Sequence, residues 1–374
     1  MSATTTQSEF NFDNISIKVE PNPDIGDNMA KITLMGVGGG GCNMVDNYCS
    51  KNRYKMKIIS ANTDNQTLNK TLAPITIQLG EKTTKGLGAG MNPAIGEKSA
   101  LESFEEIKSH IEGSDMVFVC AGLGGGTGSG AIPIVAKAAK ELNILCMCVV
   151  TMPFDFEMGR DEIAKDALNK LKQYTDSYMV IYNDKIMDIV APNTGMEDSF
   201  KIIDDILFDA IHGISEMILH YQRKNINIDF ADISTTLTKK GLSLIGLGHK
   251  SGQGSGLEAL KEAINSPLLN IESLTRARSV LVHIKSSPKF PIHEMKELMN
   301  YIKTNADLGT KCITGTVWDN EMKEDEVKVT IIATGFHVDN KNITLEEDIK
   351  PEIKPADKEP SIKDKFFKLL NKWI

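Results

Sequence analysis

Residues 122–130 read GLGGGTGSG, so six of nine consecutive positions are glycine. Glycine loses more backbone freedom on folding than any other residue, so such a run persists where side chains must be absent. The run follows an apolar stretch, DMVFVC at 115–120, and precedes a helical pattern, AIPIVAKAAKEL at 131–142. A strand, a glycine-rich turn and a helix in this order predict a backbone that a ligand approaches closely, and the amides at the helix N-terminus favour an anion.

A second glycine-rich stretch, GVGGGGCN at 36–43, follows the apolar run KITLM at 31–35. Three of its glycines stand in G-x-G-x-x-G register, which taken alone predicts a dinucleotide-binding Rossmann unit. A dinucleotide site needs one phosphate turn, whereas this chain has two, the second with Thr127 and Ser129 as hydroxyl donors. Two such turns could enclose a triphosphate. The chain contains no G-x-x-x-x-G-K-[ST] sequence, which excludes a P-loop nucleotidase.

Strand-length apolar runs alternate with helical patterns along most of the chain. In the first half these runs are apolar throughout, which is typical of strands covered on both faces and predicts a doubly wound α/β domain with a parallel sheet. Further strand-like runs in the second half predict a smaller α/β domain. The candidate strands are residues 31–35, 56–60, 115–120, 144–151, 177–182, 280–284, 311–317 and 327–335.

A long helix is predicted between the two domains, because apolar residues over 197–223 form one stripe at 3.6-residue period. Such a helix spans about 40 Å and could join both domains through a shared core. The predicted divisions are a flexible N-terminal arm at 1–30, the nucleotide-binding domain at 31–196, the central helix at 197–223, the C-terminal domain at 224–336, a disordered linker at 337–360 and an amphipathic tail at 361–374.

Composition limits the function classes. The net charge of −8 argues against general binding of nucleic acid, which usually requires a basic patch. No apolar run reaches the roughly 18 residues of a membrane span, and the N-terminus lacks the features of a signal peptide, so a cytoplasmic protein is expected. The six cysteines lack CxxC spacing and the seven histidines are scattered, which predicts reduced thiols and no protein-ligated metal.

The sequence GGGTGSG at 124–130 resembles the signature of the tubulin/FtsZ superfamily, and residues from about 31 to 336 resemble its bacterial cell-division branch. The resemblance implies a GTPase that polymerises head-to-tail into filaments at the midcell division site. Further matching stretches are GVGGGGCN (36–43), NTD (62–64), TKGLGAGMNP (84–93), PFDFE (153–157), NDK (183–185), NIDFAD (227–232), SPLL (266–269) and VTIIATG (329–335).

The resemblance also implies a site for GTP or GDP, with Mg²⁺ bound through the nucleotide phosphates. Glu157 matches the ribose ligand, and Asp204 matches the group that reads guanine, whose N1–H and exocyclic amine suit a carboxylate acceptor. Without the resemblance, Asp204 would be interpreted as a solvated helix residue. Arg160 follows Glu157 by three residues where the family usually has an arginine four residues on, so its assignment stays open. The implied nucleotide-binding residues are Gly39, Gly40, Gly41, Cys42, Asn43, Asn62, Gly90, Asn92, Gly126, Thr127, Gly128, Glu157, Arg160, Asn183, Phe200 and Asp204.

The implied catalytic residues lie in NIDFAD: Asp229 and Asp232, with Asn227 beside them. In the family, the two acidic residues of this loop enter the nucleotide pocket of the neighbouring subunit and help to position the attacking water. Carboxylates that order water, aided by Mg²⁺, suffice for slow phosphoryl transfer. The alternative is that Asp232 only caps the following helix, ISTTLTKK.

The C-terminal tail, SIKDKFFKLLNKWI, lacks the central proline of the family's usual partner-docking peptide. On a helical wheel its apolar residues fall within about 160° and three of its lysines lie opposite, which predicts a basic amphipathic helix. Such a helix could dock on a division protein or attach to an anionic membrane. Two alternative functions are also consistent with the sequence. One is a nicotinamide-dependent oxidoreductase that uses the first glycine loop, and the other is a non-hydrolysing filament or scaffold of the same fold.

Overall fold

The computed structural model describes residues 30–51, 56–187, 190, 193–220, 228–266, 268–269, 277–305 and 310–336. The predicted N-terminal arm, linker and tail fall on residues outside these ranges, apart from Ala30. The strands are β1 Ile32–Val37, β2 Lys57–Asn62, β3 Ile75–Gln78, β4 Met116–Gly122, β5 Leu145–Met152, β6 Ser177–Tyr182, β7 Gly241–Ser251, β8 Ser279–Ser286, β9 Lys311–Trp318 and β10 Glu326–Thr334. The helices are α1 Gly38–Lys51, α2 Asn65–Leu68, α3 Glu81–Thr84, α4 Pro93–Glu102, α5 Phe104–Ile111, α6 Gly126–Glu141, α7 Asp161–Leu171, α8 Asn183–Ile186, α9 Met196–Leu219, α10 Phe230–Leu237, α11 Ser255–Ile264 and α12 Ile292–Asn305.

The strands form one sheet in the order β3-β2-β1-β4-β5-β6-β7-β10-β8-β9. From β3 to β7 all pairs are parallel, and β1, β4 and β5 consist almost wholly of buried residues, as their unbroken apolar runs predict. Beyond β7 the sheet is mixed, because β10 pairs antiparallel with both β7 and β8 while β8 and β9 are parallel. The predicted α/β class is confirmed.

The sheets of the two halves are continuous, which the sequence did not predict. The join is the short parallel pairing of β6 with β7, where Ser177, Tyr178 and Met179 face Gly241, Leu242 and Ser243. The hydroxyls of Ser177 and Ser243 lie 2.5 Å apart across it. The two halves therefore share a hydrogen-bonded backbone as well as the central helix α9.

The structure contains all eight predicted strands and two more, β3 and β7, which the sequence did not predict. β3 has only four residues and one of them is buried, so it lacks an apolar run. β7 carries glycines where a strand usually carries β-branched residues. A Cβ at Gly246 or Gly248 would lie 2.0 or 1.9 Å from a carbonyl oxygen of α11, so close helix packing requires these glycines.

The sequence predicted that the whole glycine run at 122–130 precedes its helix, and the structure differs. Only residues 122–125 precede it, and residues 126–130 form the beginning of the helix. α6 begins at Gly126 instead of 131. A Cβ at Gly130 would lie 2.1 Å from Pro93 O, and one at Gly128 would lie 2.3 Å from Gly122 O. Part of the run is therefore glycine because α6 packs closely against α4 and against the end of β4.

The central helix α9 ends at Leu219, four residues before the predicted end. His220 leaves the helical conformation with φ −102° and ψ 84°, a change that apolar periodicity does not encode. Near this end, the buried Glu216 carboxylate lies 3.0 Å from Lys285 Nζ and 3.2 Å from His283 Nε2, both on β8. Burial by itself raises the pKa of Glu216, but His283 and Lys285 outweigh it and hold that pKa below its usual range. A buried ion pair thus fixes α9 against the C-terminal half of the sheet.

All six cysteines are free thiols, and Cys42, Cys120, Cys146 and Cys148 are buried. Within the described ranges, no cluster of histidine, cysteine and carboxylate side chains is arranged to hold a metal ion. The same part of the chain contains no helix that is both long and apolar enough to cross a bilayer.

Candidate functional site

A cleft of about 350 Å³ opens at the carboxyl ends of the central parallel strands. This edge is where open α/β sheets bind ligands, because the loops that follow the strands diverge there. Its lining residues come from the first turns of α1 and α6, the segment after β5, and the beginnings of α8 and α9. They are Gly39, Gly40, Asn43, Met44, Gly122, Leu123, Gly125, Gly126, Thr127, Gly128, Thr151, Pro153, Glu157, Arg160, Asn183, Phe200, Ile203 and Asp204.

One wall of the cleft is formed by two helix N-termini. Gly39 and Gly40 are exposed in the first turn of α1, and Gly125 stands at the N-cap of α6, where no side chain caps the helix. A Cβ at Gly39 or Gly125 would meet nothing within 4 Å, so these glycines leave open space in front of backbone amides. The first amides of a helix have no partner within it, and its dipole favours negative charge there. This wall suits a phosphate chain.

Glu157 and Arg160 line the cleft as an ion pair, and Arg160 lies beside the second glycine loop, since a Cβ at Gly124 would lie 2.8 Å from Arg160 Cβ. Arg160 Nη1 lies 2.9 Å from Glu157 Oε2, and Glu157 Oε1 accepts a hydrogen bond from Phe154 N at 3.1 Å. Both side chains are thereby oriented at the cleft. The shifted spacing of Arg160 in the sequence does not remove it from the cleft, because the turn at Gly159, with φ +76°, brings it back beside Glu157.

Asp204, Asn183 and Phe200 form the third part of the cleft. Burial, and secondarily the charge of Asp205, raises the pKa of the Asp204 carboxyl to about 6. Asn183 Oδ1 is buried and has no hydrogen-bond partner among the residues that the structure describes, which is rare for a buried polar atom. The Phe200 ring is held edge-on by Phe154, with ring centroids 5.5 Å apart. An aromatic ring beside a carboxyl and an unpaired amide oxygen suits a flat heterocycle that carries hydrogen-bonding edges.

Eleven of the sixteen predicted nucleotide-binding residues line this cleft, and the other five do not. Gly41 packs instead, since a Cβ there would lie 2.3 Å from Cys120 O. Cys42 is fully buried, where Asn62 Nδ2 contacts its Sγ at 3.9 Å, and burial raises the pKa of this thiol to about 11. Gly90 and Asn92 lie in the 84–92 loop, where the Asn92 side chain caps α4 by accepting from Ala94 N at 3.0 Å.

Asp229 and Asp232 do not line the cleft, and Asn227 lies outside the described residues. Their helix, α10, contributes Phe230 and Ser234 to a different cleft, which is otherwise lined by residues just before β4, β5 and β6. Those residues mark the amino ends of the parallel strands. The two predicted halves of the catalytic apparatus therefore lie at opposite ends of the sheet.

The expected alternative, in which Asp232 caps the next helix, is wrong in its position. α10 begins at Phe230 instead of Ile233, so Asp232 falls inside the first turn and Asp229 takes the N-cap position without a side-chain cap bond. Both carboxylates are exposed, and Asp232 Oδ1 lies 3.2 Å from Lys311 Nζ. An exposed ion pair of this kind contributes little to stability.

Sequence reasoning missed several lining residues, of which Gly125 and Thr151 matter most. Gly125 belongs to the glycine run at 122–130. What distinguishes it from Gly124 and Gly126 is the open space beside its Cα, which only the folded structure shows. Thr151 ends the apolar run 144–151, and a hydroxyl at the carboxyl end of a buried parallel strand is a usable signal for a ligand site.

Two models of known protein families match the chain. Residues 31–191 match the GTPase domain of the Tubulin/FtsZ family, and residues 241–337 match the C-terminal domain of the FtsZ family. The chain is 42% identical over 308 residues to a cell division protein FtsZ of Neisseria gonorrhoeae, which covers 82% of this chain and 78% of the relative. The same values hold for the cell division protein FtsZ of Neisseria meningitidis serogroup B.

Solved structures agree with this match. An FtsZ dimer of M. jannaschii superposes with a TM-score of 0.76 at 39% identity, covering 82% of this chain and 88% of the other. CetZ1 from Haloferax volcanii, at 19% identity, has a TM-score of 0.70 and covers 85% of this chain and 97% of the other, which shows a shared fold alone.

Proposed function

The chain belongs to the tubulin/FtsZ family, and from this premise we infer that the cleft at the carboxyl ends of its strands is the guanine-nucleotide site. The protein is a filament-forming GTPase of cytokinesis. Family membership decides against the two alternatives, an oxidoreductase and a non-hydrolysing filament. We propose that the protein acts at the division site.

The observation that carries the site assignment is that two helix N-termini and Asp204 line the same cleft. The amides of Gly39, Gly125 and their neighbours bind the phosphates, because they are unobstructed and positively polarised. Glu157 accepts from the ribose hydroxyls. Asp204 accepts from guanine N1–H and the exocyclic amine, and Phe200 lies against the base.

Mg²⁺ is proposed to bind at this site through the nucleotide phosphates. Among the described residues that line the cleft, Arg160 is the one with a basic side chain, and Glu157 already pairs with it, so the phosphate charge calls for a further cation. Mg²⁺ usually binds phosphate oxygens and retains several waters. When bound, it neutralises charge that develops on the phosphates during transfer.

The catalytic carboxylates come from a neighbouring subunit. Asp229 and Asp232 are exposed at the end of the sheet opposite the cleft, so a head-to-tail contact is the arrangement that brings them to a nucleotide. Asn227 is proposed to act beside them. Exposed apolar side chains surround the nucleotide end, including Leu87 and Met158, each 85% exposed, and Phe156 at 59%. An exposed apolar rim of this kind favours a protein contact there.

A mixing experiment tests both assignments together. Asp204→Asn exchanges an acceptor oxygen for an amide donor, so this variant should prefer xanthosine triphosphate, whose base has an oxygen in place of guanine's amine. Asp232→Ala should bind GTP but fail to hydrolyse it. When the two variants are mixed with both nucleotides, GDP should form again, because Asp232 of the Asn variant acts on GTP held by the Ala variant.

Each variant alone with both nucleotides is the control, and Lys311→Ala removes the ion-pair partner of Asp232 while keeping its carboxylate. Lys311→Ala should retain hydrolysis. GTP turnover by Asp232→Ala alone, or loss of GTP binding by its monomer, would contradict the shared site. An Asp204→Asn protein that hydrolyses no xanthosine triphosphate would contradict the assignment of Asp204.

For the tail at 361–374, which lies outside the described residues, we propose direct attachment to anionic lipid. The separation of its apolar residues from lysines 365, 368 and 372 supports this. Filament avidity strengthens the weak attachment of each tail.

A further inference from the structure

Thr63, immediately after β2, contacts the first turn of α6 and the segment that leads from α3 to α4. Its side chain is fully buried. Its Oγ1 lies 2.6 Å from Thr127 Oγ1, on the phosphate wall. Its carbonyl oxygen accepts from Gly88 N at 3.1 Å and from Thr84 Oγ1 at 3.2 Å; Thr84 ends α3, and Gly88 lies in the loop that follows it. One residue thus joins the phosphate wall to that loop.

The two hydroxyls have one proton each, and only one proton can lie between the two oxygens. Thr127 lines the cleft, and phosphate oxygens only accept hydrogen bonds. A Thr127 hydroxyl that binds a phosphate oxygen donates to it, and the proton between the threonines then comes from Thr63. Thr63 thereby turns the Thr127 proton towards the ligand.

The 84–92 loop needs such an anchor because its backbone is strained. Lys85 and Met91 have positive φ angles of 53° and 59°, which side-chain-bearing residues rarely adopt. On its far side the loop packs on Gly126, where a Cβ would lie 2.8 Å from Asn92 N. The loop is therefore held between the Thr63 carbonyl and the first turn of α6.

We propose that Thr63 is a positioning residue for GTP hydrolysis, which orients the Thr127 hydroxyl on the phosphates and fixes the 84–92 loop in register with it. This inference rests on the proposed nucleotide site. The residue's contacts predict that its hydroxyl matters for turnover more than for folding or for assembly.

Thr63→Val removes the hydroxyl with little change of volume, and Thr63→Ser keeps it. Phosphate release per assembled subunit should fall by up to about tenfold in Thr63→Val, the effect of one hydrogen bond between neutral hydroxyls. Assembly with a non-hydrolysable GTP analogue should stay unchanged, and Thr63→Ser should keep most of the turnover. Thr33→Val is the matched control, since Thr33 Oγ1 forms a similar hydroxyl pair with Ser114 Oγ at 2.7 Å just before β4, at the other end of the sheet.

The outcomes separate this proposal from the proposed function. A wild-type chain that binds no guanine nucleotide would remove the nucleotide site itself. If the wild type hydrolyses GTP and Thr63→Val does so equally well, Thr63 alone is wrongly assigned. Equal losses of turnover in Thr63→Val and Thr33→Val would show a general packing effect, and a Thr63→Ser chain as slow as Thr63→Val would exclude the hydroxyl as the cause; either result overturns the proposal.

Discussion

Asp204 faces the cleft from α9 with a carboxyl whose pKa is raised to about 6 by burial and then by Asp205. Burial disfavours the charged form, so this carboxyl takes up a proton at a pH where an exposed aspartate stays ionised. The ionised form offers acceptors to both guanine donors, whereas the protonated form replaces one acceptor with a donor. Base recognition should therefore weaken as pH falls.

We expect the preference for GDP over inosine diphosphate to shrink about threefold or more between about pH 7.5 and about pH 5.5, where most of Asp204 is protonated. Inosine lacks the exocyclic amine but carries the same phosphates, so phosphate titration cancels in the ratio of the two dissociation constants. Calorimetric titration at each pH measures that ratio. In Asp204→Asn the ratio should not vary with pH, and a wild-type ratio that is equally flat would show that Asp204 does not read the base.

The glycines at the beginning of helix α6, including its N-cap, serve two different purposes. Gly125 leaves open space in the cleft, whereas Gly130 allows α4 to approach, because a Cβ there would lie 2.1 Å from Pro93 O and 2.5 Å from Glu97 N. Alanine substitutions separate the two purposes.

Gly130→Ala should destabilise the nucleotide-free chain by about 1–3 kcal/mol through overpacking, even though alanine favours a helix. Gly125→Ala should leave the unfolding temperature unchanged, because φ −98° and ψ 173° suit any residue, but should weaken GTP binding as its methyl enters the cleft. Thermal unfolding and GTP affinity of both variants provide the comparison. Equal loss of stability in the two would mean that the glycine run is structural throughout.

At the scale of the whole molecule, the nucleotide cleft and the acidic residues of α10 lie at opposite ends of one continuous sheet. Under the proposed shared site, each chain supplies one half of an active site at each end, and the contact repeats as an open filament. A filament also multiplies weak attachments. The fourteen-residue tail would be marginal as an isolated helix, so membrane binding should depend on assembly.

Filaments assembled with GTP should co-sediment with anionic liposomes in the absence of other proteins, and a chain ending at Pro360 should not. Apolar burial and lysine attraction act together, so raised salt should weaken the association and neutral liposomes should capture less. Unassembled chains with GDP are the control for avidity. Equal pelleting of the shortened chain would reject lipid attachment and leave the tail as a docking peptide for a division protein.

Local pattern was enough to predict the fold class and to indicate residues that meet at one cleft. The continuous apolar runs required strands buried on both faces, and the two glycine runs predicted where backbone approaches a ligand. The residues carried over from the family resemblance named eleven side chains or backbones that the fold brings to one cleft. These signals are short-range, since a strand, its turn and its helix are neighbours in the sequence.

Tertiary structure alone decided which glycines face the cleft and which pack against a neighbouring strand or helix. Gly41 and Gly130 cannot be distinguished in the sequence from Gly39 and Gly125, because the difference lies in atoms of distant elements: Cys120 O for Gly41 and Pro93 O for Gly130. The early start of α6, the glycine-bearing strand β7 and the pairing of β6 with β7 also depend on distant partners. Contacts between residues far apart along the chain leave no local periodicity, so they become visible only once the chain is folded.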